Sequence, residues 1–215
     1  MSNHCYIAGA GDFNENALPG KGEYIIAANG GYAALKSRGI SPDLIVGDFD
    51  SLPPGMPDSL SVHPEVIRYP AEKDDTDMML AVKQGLDRGY STFTINGGLG
   101  GRIDQTLANI QILVYIADRN ARGILTGFDV NITAIKDTGI KLTPGINSGN
   151  TISIFSAGER AEGVTLKGLK YTLEDAVLTN CSPNGISNEF AGETAVISVR
   201  KGILIIVYPN DATFL

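Results

Sequence analysis

Tryptophan is absent from this 215-residue chain, and histidine and cysteine occur only twice each. Cys5 and Cys181 lie far apart, no Cys-x-x-Cys pair exists, and His4 and His63 stand alone. A structural zinc site and a disulfide framework are therefore not indicated. Cys5 sits in the apolar run CYIAGA, where a free thiol serves as a small core hydrophobe. No Ser-His-Asp or Cys-His arrangement can be assembled, which disfavours covalent nucleophilic catalysis. No apolar run approaches membrane-spanning length, and the N-terminus lacks a basic n-region and a long apolar h-region. The cytoplasm is the expected compartment, with no membrane partner. Positive charge is in deficit, with 17 Lys and Arg against 24 Asp and Glu and a net charge of −7. Non-specific nucleic-acid binding is excluded on that balance. The chain is 43% hydrophobic and can bury one or two substantial cores.

Glycine, in contrast, is abundant, with 26 residues. Its densest stretch, GGLGGRIDQTLAN, spans Gly97–Asn109. Residues without a β-carbon adopt positive φ at little cost, so backbone amides there can approach an anion closely. The helix expected next adds its first amides and its dipole. The stretch is not a Walker loop, because no Lys-Ser/Thr follows the glycines, and its spacing is not GxGxxG. Gly98, Gly100 and Gly101 are the candidate phosphate-loop residues. Ile103, Leu107, Ile110, Val114 and Ala117 follow 4-3-4-3 spacing and are expected to form the core stripe of the helix. Arg102, Gln105 and Asn109 line a different face, with Arg102 at the phosphate end. A surface helix would also carry polar residues there. Asp104 falls away from both stripes.

Two acidic runs precede this loop: GDFDS at 47–51 and KDDTD at 73–77. In extended chain Asp48 and Asp50 point the same way, so both can face one cation. A solvated turn would favour the same residue types. Asp74, Asp75 and Asp77 lie where a helix begins, and acids favour a first helical turn. One cap needs no more than one of them, and three repel one another without a counter-cation. Together the runs point to a magnesium–polyphosphate site.

Short apolar strands are expected at His4–Gly9, Glu23–Ala28, Asp43–Val46, Val66–Tyr69 and Thr92–Asn96. They alternate with helices near Tyr32–Arg38, Thr76–Arg88 and after the glycine loop. That pattern predicts an α/β N-terminal domain, residues 1–138, with a mainly parallel sheet. Ligands bind at the carboxyl ends of such strands, so Asn29, the acidic runs and the glycine loop are expected on one edge. From about residue 139 to 215, short β-type runs punctuated by Gly, Asn and Pro predict a C-terminal antiparallel β-sandwich. Lys141–Asn150 reads as a linker or long turn, and Val199–Ile203 as a hairpin turn.

With those residues in hand, the chain resembles the bacterial thiamine pyrophosphokinase family. The matching segments are GDFDS, KDDTD, GGLGGRIDQTLANI, GVTLKGLKYTL (163–173) and GISNEF (185–190), in family order across both expected domains. The resemblance implies transfer of a pyrophosphoryl group from ATP to the hydroxyl of thiamine, giving thiamine diphosphate and AMP. It implies a homodimer, an ATP-binding catalytic first domain, and a second domain for thiamine binding and dimerisation. It assigns Asp48, Asp50 and Asp77 to magnesium and phosphate, with Asp74 and Asp75 in support. Attack by a hydroxyl calls for a group to orient or deprotonate it, and Asp77 or Asp75 is the expected one. Arg102, Gln105 and Asn109 fall to the nucleotide, and Ser187 and Asn188 to thiamine. Tyr171 lies in another matching segment. Where the family often has Asp-Gly-Gly, this chain has Asn29-Gly30-Gly31. Another magnesium-dependent phosphotransferase or hydrolase, or a non-catalytic thiamine or nucleotide sensor, are the alternative readings.

Overall fold

A computed structural model of the chain describes residues 3–48, 64–146 and 149–215. Asp50, Phe49, His63 and the Pro53/Pro54/Pro57 loop lie outside the described residues. Two compact units are present, the first running to Ile112 with Leu125–Phe128, the second comprising Leu113–Ile124 and Asp129–Leu215.

In the first unit, β1 (His4–Ala8), β2 (Tyr24–Ala28), β3 (Leu44–Gly47), β4 (Glu65–Arg68) and β5 (Thr92–Asn96) pair in parallel in the order β5-β1-β2-β3-β4. Near-continuous burial along β1 and β3 is what a parallel sheet covered on both faces requires. Helices α1 (Gly31–Lys36) and α2 (Asp77–Asp87) follow β2 and β4. Cys5 is fully buried in β1, and burial pushes its thiol up to about 12, so it stays protonated as a packing residue. After β1 the chain builds outward to β4 and then returns to the other side of β1 as β5. The turns after β1 and β5 therefore mark a topological switch point, where ligands bind in such sheets.

Buried Asn96, at the end of β5, organises the first of those turns. Its amide nitrogen lies 2.9 Å from Tyr6 Oη, 2.9 Å from Asn14 O and 3.1 Å from Ala17 O, while its Oδ1 accepts from Asn14 N at 2.9 Å. Asn14 in turn donates to Gly127 O at 2.6 Å. One side chain thus satisfies backbone groups of the 14–17 loop.

The third helix, α3 (Ile103–Asp118), departs from the expected packing. Ile103 is 73% exposed and Leu107 57%, while Asn109, Ile112, Leu113, Ile116 and Ala117 are buried. At 3.6 residues per turn the buried face lies about 100° around the helix from the expected stripe. Apolar residues occupy both faces, so spacing alone cannot say which is covered. Arg102, Gln105 and Asn109 lie on the side that is core further along the helix.

After α3 comes β6 (Arg122–Thr126), and the second unit then contains two antiparallel arrays of strands. One has the order β12-β9-β14-β7, formed by β7 (Val130–Lys136), β9 (Thr151–Ser156), β12 (Asn188–Glu189) and β14 (Ile203–Pro209). The other has the order β11-β10-β13-β8-β15, formed by β8 (Gly139–Thr143), β10 (Arg160–Lys167), β11 (Leu173–Thr179), β13 (Ala195–Ser198) and β15 (Thr213–Phe214). Alternate residues Ile152, Ile154, Leu204 and Ile206 of the first sheet share a core with Ile140, Leu142, Leu166 and Ile197 of the second. This is the expected sandwich. Two local expectations differ. Lys141–Thr143 belong to β8, so the irregular segment starts only after it. Val199–Ile203 is not a hairpin turn: β13 and β14 lie in different sheets, and Lys201 pairs with Glu162 of β10 instead.

Asn96→Ala would leave the Asn14 amide and two loop carbonyls without partners. Such losses cost about 1–3 kcal/mol for each buried group left unpaired. Urea unfolding should show a destabilisation of about 2 kcal/mol or more relative to the parent chain.

Candidate active site

The carboxyl ends of the parallel strands surround a cleft of about 490 Å³. The turn after β1 and the glycine loop after β5 form one wall and are joined by their backbones. Gly9 N donates to Asn96 O at 2.7 Å, Gly11 N to Gly97 O at 2.7 Å, and Asp12 N to Leu99 O at 2.9 Å. A β-carbon on Gly9 would lie 2.4 Å from Gly97 O, so only glycine allows the two turns to close. Gly97 itself holds φ +72°, a conformation that side chains resist.

The loop after β2 and the start of α2 supply the polar wall, and Asp48, after β3, touches that wall through Asn29 and Lys73 without itself lining the cleft. Thr76 caps α2, its hydroxyl accepting from Met79 N at 3.1 Å. With the cap satisfied, Asp77 is released for another task. Asn29, at φ +44°, donates its Nδ2 to Asp48 Oδ1 at 3.1 Å and to Asp77 Oδ2 at 3.0 Å. Lys73 Nζ lies 3.0 Å from Asp77 Oδ1, an ion pair without hydrogen-bond alignment there, and 3.5 Å from Asp48 Oδ2. Each carboxylate therefore turns one oxygen to Asn29 and the other to Lys73. Burial opposes the Lys73 charge, but attraction from Asp77 and Asp48 outweighs it and holds its pKa above the ordinary value.

Of the remaining residues expected at the site, Asp75 lines the cleft and accepts from Lys83 Nζ at 2.5 Å. Gly98, Gly100, Arg102, Gln105 and Asn109 line it too, whereas Gly101 does not and Asp74 faces solvent. Arg102 forks onto Asp104, at 3.1 and 2.5 Å, which gives Asp104 the partner its helix position left undefined. The guanidinium beside Asp104 holds that carboxyl below its usual range. Asn109 donates to Gly98 O at 2.7 Å, and its buried Oδ1 has no hydrogen-bond partner among the described residues. Among the described residues no three His, Cys, Asp or Glu side chains converge as a metal cluster. Sequence reasoning did not single out Gly9, Gly11 or Lys73. The Gly-Ala-Gly turn was a visible signal, and Lys73 stood inside a motif read for its aspartates.

The second unit holds the GISNEF segment. Ser187 is exposed at φ +56°, and its N donates to Ser153 Oγ at 3.1 Å. Asn188 is buried, its Oδ1 accepting from Tyr171 N at 3.0 Å and its Nδ2 donating to Tyr171 O at 2.7 Å. Its amide is thus occupied with the Tyr171 backbone, and the Tyr171 side chain is exposed.

A family model described as thiamin pyrophosphokinase, catalytic domain, matches residues 17–125, and one described as thiamin pyrophosphokinase, vitamin B1 binding domain, matches residues 137–204. The chain belongs to the thiamin pyrophosphokinase family. A thiamine pyrophosphokinase of Bacillus subtilis is 31% identical over 193 residues, covering 86% of this chain and 87% of its own. The crystal structure of thiamine pyrophosphokinase from Bacillus subtilis aligns with a TM-score of 0.79 at 28% identity, over 97% of this chain and 99% of that one. A thiamin pyrophosphokinase family protein from Enterococcus faecalis aligns with a TM-score of 0.77 at 27% identity, over 98% and 100%. The catalytic family model spans the cleft residues from Ala28 to Asn109 but not the Gly9–Gly11 turn, and the vitamin B1 model covers the GISN segment.

Gly9→Ala should separate the two turns that shape the cleft. Overpacking of this kind costs about 1–3 kcal/mol. The expected result is a lowered melting temperature together with weakened nucleotide binding, read by calorimetry on the same preparation.

Proposed function

We propose that this chain is a thiamine pyrophosphokinase, transferring the pyrophosphoryl group of ATP to the hydroxyl of thiamine and releasing AMP. Family membership carries the reaction, and the Asp48–Asn29–Asp77–Lys73 arrangement at the switch point carries its placement in the first unit. We assign ATP to the cleft, with the glycine loop and Arg102 toward the phosphates and Gln105 and Asn109 further along α3. The planar guanidinium suits phosphate oxygens, and its exposed pairing with Asp104 is weak enough to exchange. The unpaired Asn109 oxygen is an acceptor for a ligand N–H.

Magnesium fits the donor set. Two carboxylates sharing an ammonium are hard oxygen ligands already serving a cation, and magnesium usually takes one or two carboxylates with phosphate and water. Asp48 and Asp77 would hold it, with Asp50 expected to join them from the sequence. Bound there, magnesium would screen polyphosphate charge and align the β-phosphoryl group for in-line displacement. The chain's own contribution is to orient the reactants and to take the hydroxyl proton, and Asp75 and Asp77 are the cleft-lining carboxylates for that role.

We assign thiamine to the GISN segment of the second unit. Ser187 presents an exposed side chain there, while Asn188 acts by holding the backbone of Tyr171 in the turn between β10 and β11. We also propose a homodimer, supported by Ile103 and Leu107, two large apolar side chains exposed one turn apart on α3. The cytoplasm, where ATP is supplied, is the proposed compartment; no helix among the described residues is long and apolar enough to cross a membrane.

Incubation with ATP, Mg²⁺ and thiamine should yield thiamine diphosphate and AMP in equal amounts, and Asp48→Asn should lose both. ADP in place of AMP would indicate ordinary kinase chemistry, and binding without turnover would indicate a sensor. Leu107→Glu should shift the molecular mass seen by light scattering from dimer to monomer. A variant that remains dimeric would exclude this face from the interface.

A further inference from the structure

Among the described residues, the two cations that line the cleft are both held by carboxylates: Arg102 by exposed Asp104, and Lys73 by the half-buried pair Asp48 and Asp77. The second arrangement is a closed ring of four side chains, and its two donors differ in kind. Asn29 is fixed. Its backbone N donates to Val46 O at 2.7 Å, and its Cβ sits where a β-carbon on Gly47 would approach within 3.0 Å. Its amide is neutral and can remain beside the carboxylates whatever else binds. Lys73 is different: it carries a full charge on a flexible four-carbon stem, in the turn before α2.

An ammonium and a divalent cation cannot both occupy the space between two carboxylates, because they repel at short range. A metal arriving there must displace Lys73. The anion then nearest to hand is the polyphosphate that the metal accompanies. Resting on the metal–nucleotide reading of the cleft, we propose that Lys73 is a built-in counter-cation. It holds Asp48 and Asp77 together before nucleotide binds, then moves its ammonium to the polyphosphate as the metal takes over the carboxylates. Asn29 stays as the fixed half of the ring. The amide at position 29 orders the pair without adding a further negative charge.

The test uses Lys73→Met and Lys73→Gln, with circular dichroism to confirm that both fold. Mn²⁺ binding is measured by electron paramagnetic resonance without nucleotide. Binding of α,β-methylene-ATP with Mg²⁺, whose α–β bridge cannot be cleaved, is measured by calorimetry. Both variants should bind Mn²⁺ alone about tenfold more tightly and the Mg²⁺–nucleotide about tenfold more weakly. The opposite signs are the signature, since loss of a merely structural lysine would lower both affinities. Unchanged or weaker Mn²⁺ binding, or unchanged nucleotide binding, would overturn the handover. Asp77→Asn separates the two layers. If it retains parental Mn²⁺ affinity, the metal reading of the cleft fails first.

Discussion

Two carboxylates from separate parts of the chain, Asp48 after β3 and Asp77 at the start of α2, face the same pair of donors. Like charges at such range are costly unless something positive or proton-donating stands between them. Much of the local structure can be understood as meeting that condition. Thr76 takes the helix cap so that Asp77 need not. Asn29 accepts a left-handed backbone, a conformation that asparagine tolerates better than most residues, and so delivers its amide to both partners. Lys73 supplies the charge. Removing any one of these would leave the other groups over- or under-compensated, although they come from three separate segments: position 29, position 48 and the 73–77 turn.

The parallel sheet makes that meeting possible. Strand order β5-β1-β2-β3-β4 brings the ends of β1, β2, β3 and β5 to one edge, so residues 9, 29 and 97 line one cleft and Asp48 meets it through Asn29. The switch between β1 and β5 opens the cleft, while backbone hydrogen bonds between their turns limit how far it opens. Buried Asn96 links the two tasks, ending β5 while satisfying the 14–17 loop.

Much of this was legible in the sequence, for physical reasons that differ by element. Buried strands such as Leu44–Gly47 announce themselves as apolar runs ended by glycine, and their alternation with helices fixes the class of sheet. The aspartates were legible because their density exceeds what caps and turns require. The phase of α3 was not, since Ile103 and Leu107 are as apolar as Ile112 and Ile116, and burial is decided by neighbours distant in sequence. Nor was the turn at Val199–Ile203, where Lys201 pairs with Glu162 rather than within a hairpin. Lys73 escaped notice because one lysine among aspartates reads as ordinary solvated charge. Only the fold shows that it spans two carboxylates brought from separate motifs.

The overall acidity of the chain gives the arrangement its logic. A protein of net charge −7 repels a polyphosphate at long range, so attraction must be created within the cleft itself. Permanent, unpaired cations there would attract any anion, including inorganic phosphate. Cations already engaged with carboxylates do not, because an incoming anion must first replace an existing partner. On the proposed handover, a ligand that brings its own divalent cation would remove that obstacle, because the carboxylates would keep a cation while Lys73 passes to the phosphates. Selectivity for a metal-bound polyphosphate over a bare anion would then come from charge exchange within the Asp48–Asn29–Asp77–Lys73 ring, on top of the contacts proposed for the glycine loop and Arg102.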